Sequence, residues 1–208
     1  MNSASRRDTE TRRGTAPRIV LVRHGPSAHV HTAGMVDRAG MEAWRTAYDA
    51  AGVLDVSRPP DALVRLAADA AHVVASDLPR AVASAERLAP GREIGTSALL
   101  REIPLAIPRW PTRLPLRAWG MLIGLGWGYR IVRRTDATTA ERARVAEAAE
   151  WLAGLAAGGS SVLAVTHGAY RRLLATHLLA LGWTCTERRD GYRPWSAWSF
   201  TISMRDGH

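Results

Sequence analysis

The sequence is poor in several residue types, and each shortage excludes a class of protein. It has a single cysteine, Cys185, which excludes an internal disulfide and makes a cysteine-based metal centre unexpected. No uninterrupted apolar run reaches the roughly 18 residues of a membrane-spanning helix. No apolar stretch precedes Ile19, so no signal peptide is predicted and a cytoplasmic location is expected.

Lysine is absent, and all 28 basic residues are arginine, which gives a net charge of +9 against 19 acidic residues. Four of them lie in a polar leader, residues 1–17, which we predict to be a disordered basic tail: Arg6, Arg7, Arg12 and Arg13. The rest of the chain, residues 18–208, is long enough for one domain. No RNA- or DNA-binding motif accompanies the charge, so a solvated arginine-rich surface is the favoured interpretation and a nucleic-acid partner is not expected.

Short apolar runs alternate with segments of helical spacing. Strands are predicted at 18–22, 72–75, 161–165 and 195–204, with a weak one at 93–95. Helices are predicted at 41–51, 61–71, 79–88, 139–157 and 169–181. Ser76 or Asp77 is expected to cap the helix that begins at Pro79. This alternation predicts an α/β fold with a largely parallel central sheet.

Polar residues follow three of the predicted strands at the point where each ends. They read Arg23-His24-Gly25, Ser76-Asp77-Leu78-Pro79-Arg80 and Thr166-His167-Gly168. Ligands of open α/β sheets collect at the carboxyl ends of the strands, so two histidines and two arginines are expected to converge there. Arginine forks can hold phosphate oxygens, and a neutral imidazole can attack phosphorus. The two glycines are expected to let the backbone approach the anion.

Together these three motifs, in this order, resemble the signature of the histidine phosphatase superfamily, also called phosphoglycerate mutase-like, over about residues 18–204. The resemblance implies a three-layer α/β/α sandwich. It implies that His24 is the nucleophile that becomes phosphorylated, and that His167 takes part in catalysis beside it. Arg23 and Arg80 would bind the phosphate together with both histidines. The family's chemistry uses neither a metal nor another cofactor.

Glu102 is the candidate proton donor. In the resembling family this group is commonly a glutamate in a Leu-x-Glu context after the helix of the second arginine, and Leu100-Arg101-Glu102 fits that pattern. Such a group would protonate the leaving oxygen and then activate water. The structural alternative is a surface glutamate paired with Arg101 or Arg109.

Two departures from the family pattern bear on the substrate. Pro26 and Val30 stand where an acidic residue and an asparagine are common, and residues 103–108 lack the Gly-x-x-Glu-Gly pattern of mutases and sugar-phosphatases. These departures count against a phosphoglycerate mutase.

We expect a phosphatase that hydrolyses a small phosphomonoester through a phosphohistidine. The alternatives are a phosphomutase or phosphotransferase, and a non-catalytic phospholigand-binding or membrane-associated module. The sequence does not indicate the oligomeric state.

Residues 114–132 form an unusually apolar segment that contains Trp119 and Trp127 and follows Trp110. Three interpretations are open: a helix packed on the sheet, a cap over the pocket formed within residues 104–132 and favouring an apolar or aromatic ester, and peripheral contact with a membrane surface, which is not favoured.

His29 and His31 form a His-x-His pair with Asp37 nearby, which is a possible metal site. A loop beside the active site is the favoured interpretation of this pair.

Overall fold

The protein is described here by a computed structural model, which covers residues 16–29, 34–104, 106–109 and 111–202. The predicted leader therefore lies outside the described residues, except for Ala16 and Pro17. The strands are β1 (Arg18–Arg23), β2 (Met35–Val36), β3 (His72–Ser76), β4 (Gly95–Ser97), β5 (Leu114–Pro115), β6 (Ser161–Thr166), β7 (Thr184–Arg189) and β8 (Ala197–Thr201). The helices are α1 (Arg38–Ala50), α2 (Asp61–Ala68), α3 (Pro79–Leu88), α4 (Leu116–Val132), α5 (Thr139–Leu155) and α6 (Gly168–Ala180).

Six strands form the central sheet in the order β4-β3-β6-β1-β8-β7. Strands β4, β3, β6 and β1 run parallel, whereas β8 is antiparallel to both of its neighbours. Val22 of β1 lies opposite Val165 of β6 on one side and Ala197 of β8 on the other. The predicted α/β fold with a mostly parallel central sheet is confirmed.

Helices cover both faces of the sheet, and β1 illustrates how the sequence specifies this. Ile19 and Leu21 pack in one buried cluster with the apolar sides of α5 and α6. Val20 and Val22, which point to the opposite face, pack in a second cluster with α2 and α3. A strand buried on both faces carries a continuous apolar run, which is why residues 19–22 do not alternate with polar ones.

Several element boundaries differ from the prediction for local reasons. Helix α1 begins at Arg38 rather than residue 41, because the Asp37 side chain accepts from the Gly40 N–H and starts the helix earlier. The predicted cap of α3 was wrong. Pro79 does occupy the first turn, but Leu78 is the N-cap residue and no side chain caps the helix. The edge strand β7, which was not predicted, has only exposed and half-buried residues and therefore no apolar run.

The apolar segment 114–132 forms β5 and α4, and its buried anchor is Trp119. This side chain packs with Met41 of α1 and with Ile107, in a small cluster separate from the two clusters on the sheet. Its indole N–H donates to the backbone oxygen of Val36 at 3.0 Å. The interpretation of this segment as a helix packed on the central sheet was therefore wrong. Within the described residues, no helix is both long and apolar enough to cross a membrane.

Candidate active site

The three polar motifs meet at one edge of the sheet because β3, β6 and β1 are adjacent and parallel. Arg23, at the end of β1, lies opposite Thr166, at the end of β6. The backbone N–H of His24 donates to the Thr166 oxygen at 3.0 Å and fixes the first residue beyond β1. Arg80 stands in the first turn of α3, which follows β3 closely. The structure brings these groups together at one edge of the sheet, as their positions after the strands predict.

His24, Arg80 and His167 form the buried centre of the site. The Nε of Arg80 donates to Nε2 of His24 at 3.3 Å. The two imidazole rings are 5.1 Å apart between centroids and inclined at 58°. His24 is 3% exposed, Arg80 1% and His167 0%. Side chains buried this deeply hold one orientation, so the ring nitrogens and the guanidinium are positioned in advance.

Two hydrogen bonds determine which nitrogen of His24 carries its proton. Nδ1 lies 2.7 Å from the backbone oxygen of Gly25, so the proton is on Nδ1 and is donated to that oxygen. Nε2 then has a lone pair, in agreement with its acceptance of the Arg80 Nε–H. Burial, together with the charges of Arg80 and Arg23, lowers the pKa of His24 to about 3, against the opposing effect of the hydrogen bond to Gly25. His24 is therefore neutral near pH 7, with its lone pair on Nε2.

His167 and Arg23 present hydrogen-bonding atoms to the same centre. Burial lowers the pKa of His167 well below its usual range. Within the described residues, neither ring nitrogen of His167 has a hydrogen-bond partner, and the same holds for Nε of Arg23. The Nη1 of Arg23 donates to the backbone oxygen of Tyr192. A buried donor without a partner is costly, so the Arg23 Nε–H and the one ring nitrogen of His167 that carries a proton are well suited to bind an anion's oxygens.

The last turn of α1 supplies two further contacts to Arg80. The Nη2 of Arg80 pairs with Oδ1 of Asp49 at 3.1 Å, and Nη1 donates to the Tyr48 oxygen at 3.2 Å. The guanidinium also lies 4.5 Å from the centroid of the Tyr48 ring. No sequence motif marks Tyr48 or Asp49 as site residues, because only tertiary packing brings the end of α1 to the site.

Glu102 lies at the N-terminus of α6. Its Oε1 accepts from the backbone N–H groups of Ile103 at 3.0 Å and Tyr170 at 2.8 Å. Burial raises the pKa of Glu102, against the opposing effect of these hydrogen bonds. The alternative pairing with Arg101 was wrong, since that guanidinium makes two contacts of 2.6 Å with Asp77. Among the described residues the Glu102 carboxylate accepts from backbone groups, so no surface ion pair neutralises it.

Gly25 has a reason to be glycine that differs from the predicted one. A Cβ at this position would lie 2.4 Å from the indole of Trp195, so the close approach comes from a side chain of the protein rather than from the anion. Trp195 itself adopts a left-handed backbone conformation, with φ of 63°. A Cβ at Gly168 would lie at an ordinary 3.5 Å from the Arg23 guanidinium.

Arg171 of α6 holds the loop that carries Trp195. Its Nη1 donates to the Ser196 oxygen at 2.6 Å, and its Nη2 donates to the Gly191 oxygen at 2.8 Å. The guanidinium lies 4.2 Å from the Trp198 ring, and burial lowers the pKa of Arg171 to about 10. No sequence pattern distinguishes Arg171, because one arginine in an arginine-rich protein resembles a surface residue.

A cavity of about 800 Å³ opens beside the buried centre. Arg23, Arg80 and Glu102 line its polar end, with Asp49 next to them. Most of the remaining wall is apolar and includes Met41, Trp44, Ile103, Ile107, Leu116 and Ile123. The cavity therefore combines a cationic end with an apolar body, and α4 forms part of its wall.

Among the described residues, His29 of the possible metal site packs against aromatic rings. The His29 ring packs 5.1 Å from that of Trp44 and 6.4 Å from that of Tyr48, whereas His31 lies outside the described residues, as does Trp110. In the portion of the chain that the structure describes, no three histidine, cysteine, aspartate or glutamate side chains are grouped as metal ligands. Cys185 is half-buried on β7 rather than fully buried.

Two solved structures that share this fold are phosphatases. The mycobacterial glucosyl-3-phosphoglycerate phosphatase complexed with VO3 superposes with a TM-score of 0.54 at 21% identity, over 90% of this chain and 98% of that one. A mutant phosphoserine phosphatase from Entamoeba histolytica in complex with phosphoserine gives a TM-score of 0.53 at 16% identity, over 92% of both chains. At these identities the likeness establishes the fold alone. A comparison with curated protein sequences gives no match.

The fold and the site define the class: an α/β enzyme with a neutral histidine set among arginines at the carboxyl ends of parallel strands. The family model for the histidine phosphatase superfamily (branch 1) matches residues 19–192. The chain belongs to the histidine phosphatase superfamily, and its enzyme class is that of the histidine-dependent phosphatases.

Proposed function

We propose that the protein hydrolyses a phosphomonoester with an apolar body, through a phosphohistidine formed on Nε2 of His24. The observation that carries the proposal is the state of this ring. The Gly25 oxygen accepts from Nδ1 at 2.7 Å and burial keeps the imidazole neutral, so Nε2 carries a lone pair, which can attack phosphorus once the phosphate takes over the hydrogen bond from the Arg80 Nε–H. Neutrality matters because a protonated imidazole has no lone pair to donate.

In the first step, Nε2 attacks phosphorus and forms the N–P bond while the bond to the leaving oxygen breaks. Negative charge on the transferred group is stabilised by Arg23, Arg80 and His167, whose polar atoms converge there. Glu102 delivers its proton to the leaving oxygen. In the second step, a water molecule attacks phosphorus, the carboxylate of Glu102 takes a proton from it, and the N–P bond breaks to release phosphate and restore His24.

The environment of Glu102 supports its assignment as the acid. Burial raises its pKa, which increases the protonated fraction needed for the first step. Backbone N–H groups of Ile103 and Tyr170 hold the carboxyl group at 3.0 and 2.8 Å, at the polar end of the cavity. Arg144 anchors the chain before it by donating to the Leu99 oxygen at 3.0 Å and to the Arg101 oxygen at 2.8 Å.

The shape and lining of the cavity support an apolar substrate body. With the phosphate at the cationic end, the rest of a substrate meets a mainly apolar wall that includes Ile107, Leu116 and Ile123. A second anionic group near the phosphate would meet the Asp49 carboxylate, which pairs with Arg80 at 3.1 Å. The mainly apolar wall therefore favours an ester with an apolar carbon skeleton.

The decisive experiment uses an aryl phosphate and rapid acid or alkaline quenching. We expect turnover and an acid-labile, alkali-stable phosphoryl group on the protein, both lost in His24→Ala. The matched control is His72→Ala, since His72 is exposed at the start of β3, and it should retain both. Quantifying free phosphate against phosphoryl groups transferred to an added alcohol separates hydrolysis from transfer. Full turnover by a folded His24→Ala protein would contradict the mechanism.

The role of Glu102 is tested by varying the leaving group. In Glu102→Gln, cleavage of an alkyl phosphate should fall by about 10²–10⁴-fold, whereas cleavage of a nitrophenyl phosphate, whose leaving group needs little protonation, should fall much less. An equal loss for both substrates would assign Glu102 a structural role.

The cytoplasmic location and the separate leader, residues 1–17, remain predictions.

A further inference from the structure

The outer face of α4 carries an exposed apolar stripe. Met121, Leu125, Tyr129 and Val132 are 66%, 70%, 64% and 80% exposed. Their spacing of four, four and three residues places them on one side of the helix, within an arc of about 80° at 100° per residue. The buried anchor Trp119 and the cavity-lining Ile123 lie on the opposite side. The stripe is therefore distinct from the face that builds the cavity.

The segment of sequence that carries this stripe has charge of one sign. Between Glu102 and Asp136 the sequence contains no acidic residue and six arginines, namely Arg109, Arg113, Arg117, Arg130, Arg133 and Arg134. Arg117 and Arg133 are exposed near the two ends of the stripe, and the Arg133 guanidinium lies 5.9 Å from the Tyr129 ring. Helix α4 itself has no serine, threonine, asparagine or glutamine.

We infer that the outer face of α4 docks on the surface of an anionic lipid bilayer, with the stripe in the interfacial region and the flanking arginines on lipid headgroups. Exposed apolar side chains bordered by arginine are the pattern of helices that lie in the plane of a membrane surface. Anionic headgroups supply the opposite charge that an uncompensated arginine cluster favours. An exposed apolar patch of this kind is otherwise a cost to solubility.

Two other occupants fit less well. A second copy of the chain, docked about a two-fold axis, would bring like-charged arginines together without acidic partners. Residues 1–15 of the same chain have four arginines and, beyond Met1, no large apolar side chain, so they match neither the stripe nor its charge. A lipid surface supplies both the apolar depth and the negative charge.

The test is flotation of the full-length protein with vesicles of phosphatidylcholine containing phosphatidylglycerol, against phosphatidylcholine alone. We expect binding to the anionic vesicles that weakens as salt is added. Leu125→Glu should reduce the partition coefficient by about tenfold or more, since it replaces an apolar side chain that would enter the interfacial region of the bilayer with a charge. The matched control is Val56→Glu, because Val56 is 79% exposed in a turn outside this segment and should bind as the unsubstituted protein does.

A second pair of variants tests the charge. Arg117→Ser with Arg133→Ser should weaken binding and lessen its salt dependence, whereas Arg65→Ser, at an exposed arginine of α2, should change little. Circular dichroism and thermal unfolding establish that each variant is folded, so the result does not depend on the catalytic proposal. Absence of binding, or equal binding by Leu125→Glu, would overturn the inference. Self-association without lipid that Leu125→Glu abolishes would overturn it in favour of a second copy.

Discussion

The buried neutral state of His24 makes the stability of the protein depend on pH. Burial lowers its pKa from 6.5 to about 3, so the unfolded chain takes up a proton on this side chain at a pH where the folded chain does not. The contribution is fully present above 6.5. It is lost progressively as the pH falls through the window from 6.5 to about 3, because proton uptake favours the unfolded state.

The magnitude follows from proton linkage. Each pH unit within this window costs about 1.4 kcal/mol per differential proton, so between pH 7 and pH 5 the loss due to His24 is about 2 kcal/mol. His167 acts in the same direction because its pKa is also lowered. Glu102 acts in the opposite direction. Its pKa is raised in the folded protein, so on acidification the folded chain binds a proton on this carboxylate at a higher pH than the unfolded chain does, which favours folding. The contribution of His24 must therefore be isolated by difference.

Urea unfolding of the unsubstituted protein and of His24→Gln, at pH 7 and pH 5, provides that difference. On acidification the variant should lose about 2 kcal/mol less of its unfolding free energy than the unsubstituted protein does. The control is His72→Gln, at an exposed position, which should behave as the unsubstituted protein. Equal losses in the unsubstituted protein and His24→Gln would mean that His24 is not held neutral, and the nucleophile assignment would lose its basis.

Three further predictions concern the surroundings of the site. Gly25→Ala should lower the unfolding free energy by about 1–3 kcal/mol, because its Cβ would lie 2.4 Å from the indole of Trp195. Gly168→Ala should cost much less, because its Cβ would lie 3.5 Å from the nearest atom, and equal costs of the two variants in urea unfolding would contradict this reasoning. Trp119→Ala should cost about 3–5 kcal/mol in the same assay, and a loss below about 1 kcal/mol would mean that this fully buried side chain does not anchor α4. Asp49→Asn should lower the KM for an aryl phosphate by about two- to fivefold, because the carboxylate competes with phosphate for Arg80; a higher KM would make Asp49 a positioning residue instead.

Local patterns predicted the sheet and the core of the site well. The apolar runs of β1, β3 and β6 are continuous because these strands are buried on both faces, and each run ends where the polar motif begins. Parallel neighbours then bring those ends to one edge of the sheet without any further information. Arg23, His24, Arg80 and His167 could therefore be placed together from their positions after the strands.

What the sequence did not predict depends on contacts between distant segments. Tyr48 and Asp49 reach Arg80 only because α1 crosses the mouth of the site, and neither occurs in a recognisable motif. Nothing in the order of residues indicates that Trp195 packs on Gly25 across the end of the sheet. The position of α4 was open for a related reason, since a helix that is apolar on all sides does not specify which side is buried.

Local sequence motifs and contacts between distant segments contribute different parts of the chemistry. Strand-end motifs supply the charged and nucleophilic groups, whereas the protonation states of those groups come from burial. The indole of Trp195, on the loop bound by Arg171, packs on Gly25, whose backbone oxygen accepts the hydrogen bond from the His24 Nδ1–H. The N-terminus of α6 and the segment anchored by Arg144 enclose Glu102. Desolvation is the largest cause of both shifts, since it lowers the pKa of the nucleophile His24 and raises the pKa of the acid Glu102. The residues that exclude water from the site are therefore as necessary to the proposed mechanism as the strand-end motifs.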